Sequence, residues 1–146
     1  MLQQAVRARN PQMTDVWPMP IPEDRPLTAE EQSLVQWLLE HGNSDAAPFL
    51  SQLSDARVVS RCPCGCASID LSIGGIVPPS QLDQGMQTLS DYVWQTHEGA
   101  KCGVFVFSVG GQLAGLEVWS LDGLSSVSSL PSIDQLLPID LWQASS

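Results

Sequence analysis

The sequence predicts an α+β fold in which two N-terminal helices pack on an antiparallel sheet of about five strands. An amphipathic helix with clear start and stop signals lies near the N-terminus. After Asp55 the helical spacing gives way to short runs of alternating apolar and polar residues, which is typical of half-buried strands. A Gly-Gly pair then separates two β-rich runs, as in a hairpin. Helices followed by a block of strands indicate this fold class.

The first 26 residues predict an extended N-terminal arm. Prolines recur in this segment, and each fixes its own φ and disfavours helical backbone in the residue before it. They are Pro11, Pro18, Pro20, Pro22 and Pro26. We therefore divide the chain into an arm over 1–26 and a single α+β domain over 27–146.

The stretch LTAEEQSLVQWLLEHG predicts the first helix, over about residues 29–41. Thr28 and Glu31 have the spacing of a capping box, and Gly42 supplies a stop. Apolar residues at helical spacing predict a buried stripe, which consists of Leu34, Trp37, Leu38 and Leu39. The next stretch, NSDAAPFLSQL, predicts a second and shorter helix that Ser44 caps.

The remaining segments predict strands. ARVVSRC and ASIDLSI are β-type runs on either side of a cysteine-rich turn, and MQTLSDYVWQ favours a strand because Tyr, Val and Trp occur close together. GVFVFSVGGQLAGLEVWSLDG predicts a hairpin that turns at Gly110 and Gly111. The segment LPSIDQLLPIDLW predicts a turn of helix over one end of the sheet.

The charge of the chain limits its partners. Sixteen acidic residues against six basic ones give a formal charge of −10. A phosphate backbone or an anionic membrane surface needs Lys and Arg, so we expect neither nucleic acid nor membrane as a partner. A basic protein is the partner that this charge favours. No apolar run has the length of a membrane span and the N-terminus lacks a signal-peptide pattern, so we expect a cytoplasmic protein.

The stretch RCPCGCASIDLS carries the strongest chemical signal. Cys62, Cys64 and Cys66 alternate with Pro63 and Gly65, residues that favour a curled turn. Alternate residues of a flat strand lie roughly 6–7 Å apart, so the chain must curl before three sulfurs can share an ion. A tetrahedral zinc site needs a fourth ligand. The candidates are Cys102 first, then His97, then His41.

Other interpretations of the cysteines stay open. Cysteine packs well as a small buried residue, and buried thiols with no cofactor are the simplest alternative to zinc. A disulfide is a third interpretation. The C-x-x-C spacing of thioredoxin-like redox proteins is absent.

The acidic residues and tryptophans of the C-terminal half form the predicted partner surface. It consists of Asp70, Asp91, Trp94, Glu117, Trp119 and Asp122. Tryptophan is enriched among the residues that anchor protein interfaces. Glu117 lies in an apolar strand beside Trp119, where its pKa could rise enough for acid catalysis. A glycosidase needs a second carboxylate, and an acid on the solvent face is the simpler interpretation.

Two segments, RCPCGCASIDL and GQLAGLEVWSLDG, resemble those of small, uncharacterised bacterial proteins that begin with an RPLT-x-E-E helix. The resemblance covers residues 25–123 and implies a bacterial α+β domain. Small acidic proteins of this build resemble immunity proteins, which neutralise a toxin by covering its active site.

Three functions follow from these observations. The first is an acidic protein-interaction domain, more specifically an immunity-type inhibitor of a basic bacterial toxin. The second is a zinc-stabilised domain built on the cysteines, and the third is a hydrolase that uses Glu117. No nucleophile motif or phosphate-binding loop is present, so we expect no catalytic residue and no enzyme.

Overall fold

The computed structural model describes residues 19–79, 85–123 and 127–139. Its strands are β1 (Ile21–Pro26), β2 (Ala56–Arg61), β3 (Ile69–Ile73), β4 (Met86–Gln95), β5 (Lys101–Val109), β6 (Gln112–Ser120) and β7 (Leu137–Pro138). Its helices are α1 (Ala29–Glu40) and α2 (Leu50–Leu53), and a 3-10 turn over Ala47–Phe49 precedes α2. Within the described residues the strands form one sheet in the order β1-β2-β3-β6-β5-β4-β7, and each neighbouring pair is antiparallel.

The predicted combination of helices with an antiparallel sheet is confirmed, but the predicted number of strands is wrong. The sheet has seven strands rather than about five. The two additional strands, β1 and β7, lie at its edges. Because β1 precedes α1, the helices are also not the first elements of the fold.

Strand β1 lies inside the segment that was predicted as an arm. Ile21 pairs with Arg61 of β2, and Pro26 pairs with Arg57. Proline cannot donate to a strand ladder and is therefore tolerated at a sheet edge, which is where Pro22 and Pro26 are found. The predicted arm, residues 1–26, thus includes an edge strand of the sheet. Residues 1–18 of the predicted arm lie outside the described residues.

Helix α1 matches its prediction. The Thr28 hydroxyl accepts a hydrogen bond from the Glu31 amide, and the Glu31 carboxylate accepts one from the Thr28 amide. This capping box starts the helix as the sequence indicated. The buried residues of its apolar face are Leu34, Val35, Leu38 and Leu39, and they pack over β4 and β5. Trp37, predicted as part of this stripe, is only half-buried, and Val35 is buried in addition. Within the described residues, the helices lack the combined length and apolar character of a membrane span.

The second helix is shorter than predicted, and the predicted cap at Ser44 is wrong. The 3-10 turn begins after Ala46 without a side-chain cap. Asn43 organises the turn instead, because its Oδ1 accepts a hydrogen bond from the Asp45 amide and its Nδ2 donates to the Thr88 carbonyl. The Asn43 side chain thereby ties the end of α1 to the edge of β4.

The predicted C-terminal hairpin is confirmed. Strands β5 and β6 pair from Cys102 and Ser120 to Val109 and Gln112. Gly110 and Gly111 have φ values of 58° and 79°, the left-handed conformation that a tight two-residue turn requires. The ambiguous segment before this hairpin forms strand β4, as favoured by its composition.

The two faces of the sheet have different roles. One face packs under α1 and contributes the main core, including Val104, Val106 and Leu116. The opposite face carries a smaller apolar cluster around Phe107 and also the side chain of Glu117, which pairs across the strands with Phe105. We call this second surface the open face. The turn that carries Cys62, Cys64 and Cys66 is called the cysteine turn. The candidate functional site lies where this turn meets the end of β6, at the margin of the open face.

Candidate metal centre

The cysteine turn connects β2 to β3 and is curled by its own backbone. The Gly65 amide donates to the Cys62 carbonyl over 3.3 Å, and the Cys66 amide donates to Cys64 Sγ over 3.3 Å. Gly65 has a φ of 89°, which glycine adopts without steric cost. The curl that the sequence predicted for a metal turn is therefore present.

Curling brings the three sulfur atoms together. The Sγ atoms of Cys62, Cys64 and Cys66 all lie within 4.8 Å of one another, and those of Cys62 and Cys64 are 2.8 Å apart. Thiolates are the soft ligands that zinc and related ions prefer. The three cysteines could hold a metal ion. Cys64 is exposed and the other two are half-buried, so an ion could reach the sulfurs from solvent.

The Cys62 thiol favours its protonated form as it stands. Burial raises the pKa of Cys62 to about 12, and the hydrogen bond shared with the Cys64 thiol adds to the shift. A bound cation reverses this preference because a coordinating thiol loses its proton.

Of the four predicted cysteine ligands, the structure brings together three. Cys102 is only 3% exposed and belongs to the main core. It occupies the same side of β5 as Val104 and Val106, because alternate residues of a strand share a face. It is not a member of the cysteine group. Burial raises the pKa of the Cys102 thiol, and the charge of Asp122 raises it further.

The two histidines are also outside the group. His41 stacks on Trp37 with 4.1 Å between the ring centroids, and its Nδ1 lies 2.8 Å from the Trp37 carbonyl oxygen. His97 is exposed in the connection between β4 and β5. Neither imidazole shares the turn that gathers the sulfurs.

Ser68 fixes the cysteine turn to β6. The paired ladder between β3 and β6 ends at Ile69 and Leu116. One residue before that point, the Ser68 hydroxyl accepts a hydrogen bond from the Val118 amide at 2.9 Å and donates to the Val118 carbonyl at 3.3 Å. Ser68 thus continues the contact between the strands with its side chain. Sequence reasoning missed this residue, since an isolated serine carries no signal for a contact 50 positions away.

A cavity of about 280 Å³ connects the cysteines to the end of β6. Its wall includes the three cysteines of the turn together with Ser68, Glu117 and Trp119. From the sequence alone, the cysteines and Glu117 were predicted as separate features. The fold places them on one cavity because the cysteine turn lies beside the part of β6 that β3 no longer covers.

Glu117 contributes to this cavity a carboxyl group with a raised pKa. Burial raises its pKa from 4.5 to about 7, and the negative charge of Asp70 contributes to the shift. Such a pKa suits a general acid or base at neutral pH. The hydrolase that uses Glu117 stays a prediction.

Four of the six predicted partner-binding residues share the open face. Asp91 and Glu117 both lie opposite Phe105, one on each side, so their side chains point to the same surface. Trp119 follows two positions after Glu117, and Asp70 lies opposite Gly115 on the same side. Burial raises the pKa of Asp91, and within the described residues its Oδ1 has no hydrogen-bond partner.

The other two predicted partner residues have different surroundings. Trp94 is 4% exposed and lies in the main core, so its assignment as an exposed anchor is wrong. Its pairing opposite Cys102 places it on the helix-covered side of the sheet. Asp122 is exposed in the turn after β6 and accepts a hydrogen bond from Ser120.

A larger cavity of about 360 Å³ lies on the other side of the cysteine turn, near the start of α1. It contains Arg25 and Arg61, which would suit an anion. Both arginines are already paired, Arg25 with Glu23 and Glu31, and Arg61 with Glu23. The two arginines are therefore already neutralised by carboxylates of the protein. Although this cavity is larger, we do not assign it as the functional site.

No protein-family model matches the chain, and neither a curated protein nor a solved structure matches it.

Proposed function

We propose that this protein is a small metal-binding domain in which Cys62, Cys64 and Cys66 hold a zinc ion. The observation that carries the proposal is the grouping of three sulfurs within 4.8 Å by a single five-residue turn. Zinc–sulfur bonds of about 2.3 Å place the sulfurs of a tetrahedral site roughly 3.8 Å apart. The Cys62 and Cys64 sulfurs, now 2.8 Å apart, would separate by roughly 1 Å to accept the ion.

The ion would stabilise the fold locally. The cysteine turn joins β2 to β3 and is held to β6 through Ser68. A metal bound by three residues of the turn would fix its curl and, through Ser68, the contact with the end of β6. Because the unfolded chain does not present the three sulfurs together, the binding free energy contributes to folding.

A chelator experiment tests this proposal. Adding a chelator to the purified protein should lower the melting temperature, and Cys64→Ser should show a similarly lowered temperature that the chelator does not change. Cys102→Ser serves as the control, since Cys102 lies outside the group, and it should keep its response to the chelator. An unchanged melting temperature in the wild type, with four titratable thiols, would contradict the proposal. A mass lower by two hydrogens would indicate a disulfide instead.

A second candidate function is recognition of a basic protein through the open face. The observation in its favour is that Asp70, Glu117 and Trp119 share one surface, with Trp119 37% exposed. The formal charge of −10 favours a basic partner. An immunity-type inhibitor of a basic bacterial toxin is the more specific form of this proposal.

Binding kinetics at two salt concentrations test the second candidate. At pH 8, above the Glu117 pKa of about 7, a partner recovered from the host should associate more slowly with Glu117→Gln, because charge accelerates encounter. Trp119→Ala should instead speed dissociation, because it removes an anchor. Glu98→Gln changes an exposed acid in the β4–β5 connection and is the matched control. An acidic partner, or binding that is indifferent to salt, would contradict the electrostatic proposal.

A further inference from the structure

The composition of the chain limits what can complete the metal site. The chain has four cysteines and two histidines, and all six lie within the described residues. Three of the cysteines form the group, while Cys102, His41 and His97 do not belong to it. A fourth sulfur or imidazole ligand from this chain is therefore not positioned beside the other three.

The cysteine group borders the cavity between the cysteine turn and β6. All three cysteines contribute to its wall, and its volume of about 280 Å³ is several times that of a water molecule. Zinc sites with three protein ligands keep a fourth position for water or substrate, whereas structural sites are closed by four protein ligands. The three-cysteine group with an adjoining cavity corresponds to the first arrangement.

On the basis of the proposed metal-binding function, we propose that the fourth coordination position of the ion faces this cavity and takes a neutral external donor. Water would occupy it at rest, and an amine or imidazole nitrogen would replace the water. The site would thus bind a nitrogen base rather than an anion.

The charge around the cavity decides between these ligand classes. Three thiolates more than neutralise a divalent ion, so the metal complex is itself anionic. The cavity contains no basic side chain in its described wall, and Glu117 adds a carboxyl group. An incoming anion would meet like charge at close range, from the anionic metal complex and from the Glu117 carboxyl group.

The apolar part of the wall suits a flat ring. Trp119 lies at the cavity with 37% of its surface exposed, and Val118 and Val127 line it as well. An imidazole bound through one nitrogen would place its carbon edge toward the exposed part of Trp119. This arrangement favours imidazole over a small anion such as azide.

Cobalt substitution tests the proposal. Co²⁺ bound by thiolates gives intense charge-transfer bands and ligand-field bands that respond to the fourth ligand. Imidazole titrated into the cobalt protein should shift the ligand-field bands with saturation, and it should bind at least roughly tenfold more tightly than azide. Spectra that neither ligand changes, or azide binding as tight as imidazole binding, would overturn the proposal.

Two variants separate an internal fourth ligand from an external one. Glu117→Gln and Cys102→Ser should both give the wild-type cobalt spectrum before any ligand is added. A changed spectrum in either variant would identify that residue as the fourth ligand and overturn the open position. Absence of thiolate charge-transfer bands in the wild type would instead overturn the metal-binding function itself, so the two failures are distinguishable.

Discussion

The indole ring of Trp119 lies directly over Gly103 on the neighbouring strand. A Cβ atom added at Gly103 would lie 2.4 Å from Cε2 of Trp119, a distance that side-chain contacts do not tolerate. The two residues are direct partners across β5 and β6. Glycine in a strand often marks such a close approach, and here it allows Trp119 to form part of the cavity wall beside the cysteine turn.

We expect Gly103→Ala to destabilise the fold by about 1–3 kcal/mol, because the indole ring must move. The free energy of unfolding in urea measures this effect. In a Trp119→Ala background the same glycine substitution should cost much less, since the obstructing ring is gone. An equal cost in both backgrounds would show that the ring does not determine the effect.

Ser68→Ala should destabilise the fold by about 1–3 kcal/mol. The substitution leaves the buried Val118 amide without its hydrogen-bond acceptor. Ser54→Ala, at an exposed serine after α2, is the matched control and should change stability little. Urea denaturation compares the two variants, and similar small effects in both would contradict the role assigned to Ser68.

Glu31→Gln should destabilise the fold by about 1–3 kcal/mol. Glu31 is 7% exposed and receives two hydrogen bonds from Arg25, of 2.9 and 3.1 Å. Losing its charge leaves the Arg25 guanidinium without its bidentate partner. Glu30→Gln, at the exposed neighbouring position, should have a much smaller effect in the same thermal unfolding measurement.

The contribution of Glu31 to the stability of the fold should also depend on pH. Burial acts to raise its pKa, but the hydrogen bonds from Arg25 and Thr28 outweigh burial and hold the pKa below its usual value. A carboxyl whose pKa is lower in the folded state stabilises the fold above its unfolded pKa. This stability is lost as pH falls through the folded pKa, so the wild type and Glu31→Gln should converge in acid.

Glu117 should have the opposite pH dependence. Its pKa rises from 4.5 to about 7 on folding, through burial and then the charge of Asp70, so the folded state holds its proton more tightly. Stability from this group is present below pH 4.5 and is lost as pH rises toward 7. Glu117→Gln should therefore stabilise the fold at pH 8, by on the order of 1 kcal/mol after allowing for partial solvent exposure.

The measurement is thermal or urea unfolding at pH 5 and pH 8. The gain from Glu117→Gln should be larger at pH 8, whereas Glu98→Gln, at an exposed acid, should show no such difference. A gain that is equal at both pH values would mean that the Glu117 carboxyl is not perturbed.

Local sequence signals predicted much of the fold and part of the site. The capping box of α1 and the Gly110–Gly111 turn involve residues close in the chain, so their chemistry can be recognised directly. The three cysteines of the turn were also grouped correctly, because Pro63 and Gly65 between them favour a curl.

The errors at the predicted sites come from relationships that depend on which side of the sheet the helices cover. Cys102 and Trp94 are cross-strand partners on the face under α1. Strand β5 is apolar on both faces and β4 carries polar residues on both, so alternation in the sequence does not distinguish the core side from the open side. The placement of Glu117 beside the cysteines likewise depends on β6 extending past the end of β3.

The metal content of the purified protein tests the central claim most directly. Elemental analysis should find about one zinc ion per chain in the wild type and in Cys102→Ser, and almost none in Cys64→Ser. This pattern would place the ion on the cysteine turn and exclude the buried cysteine as a ligand. Wild-type protein that contains no metal after purification without chelators, and that takes up none when zinc is supplied, would contradict the account.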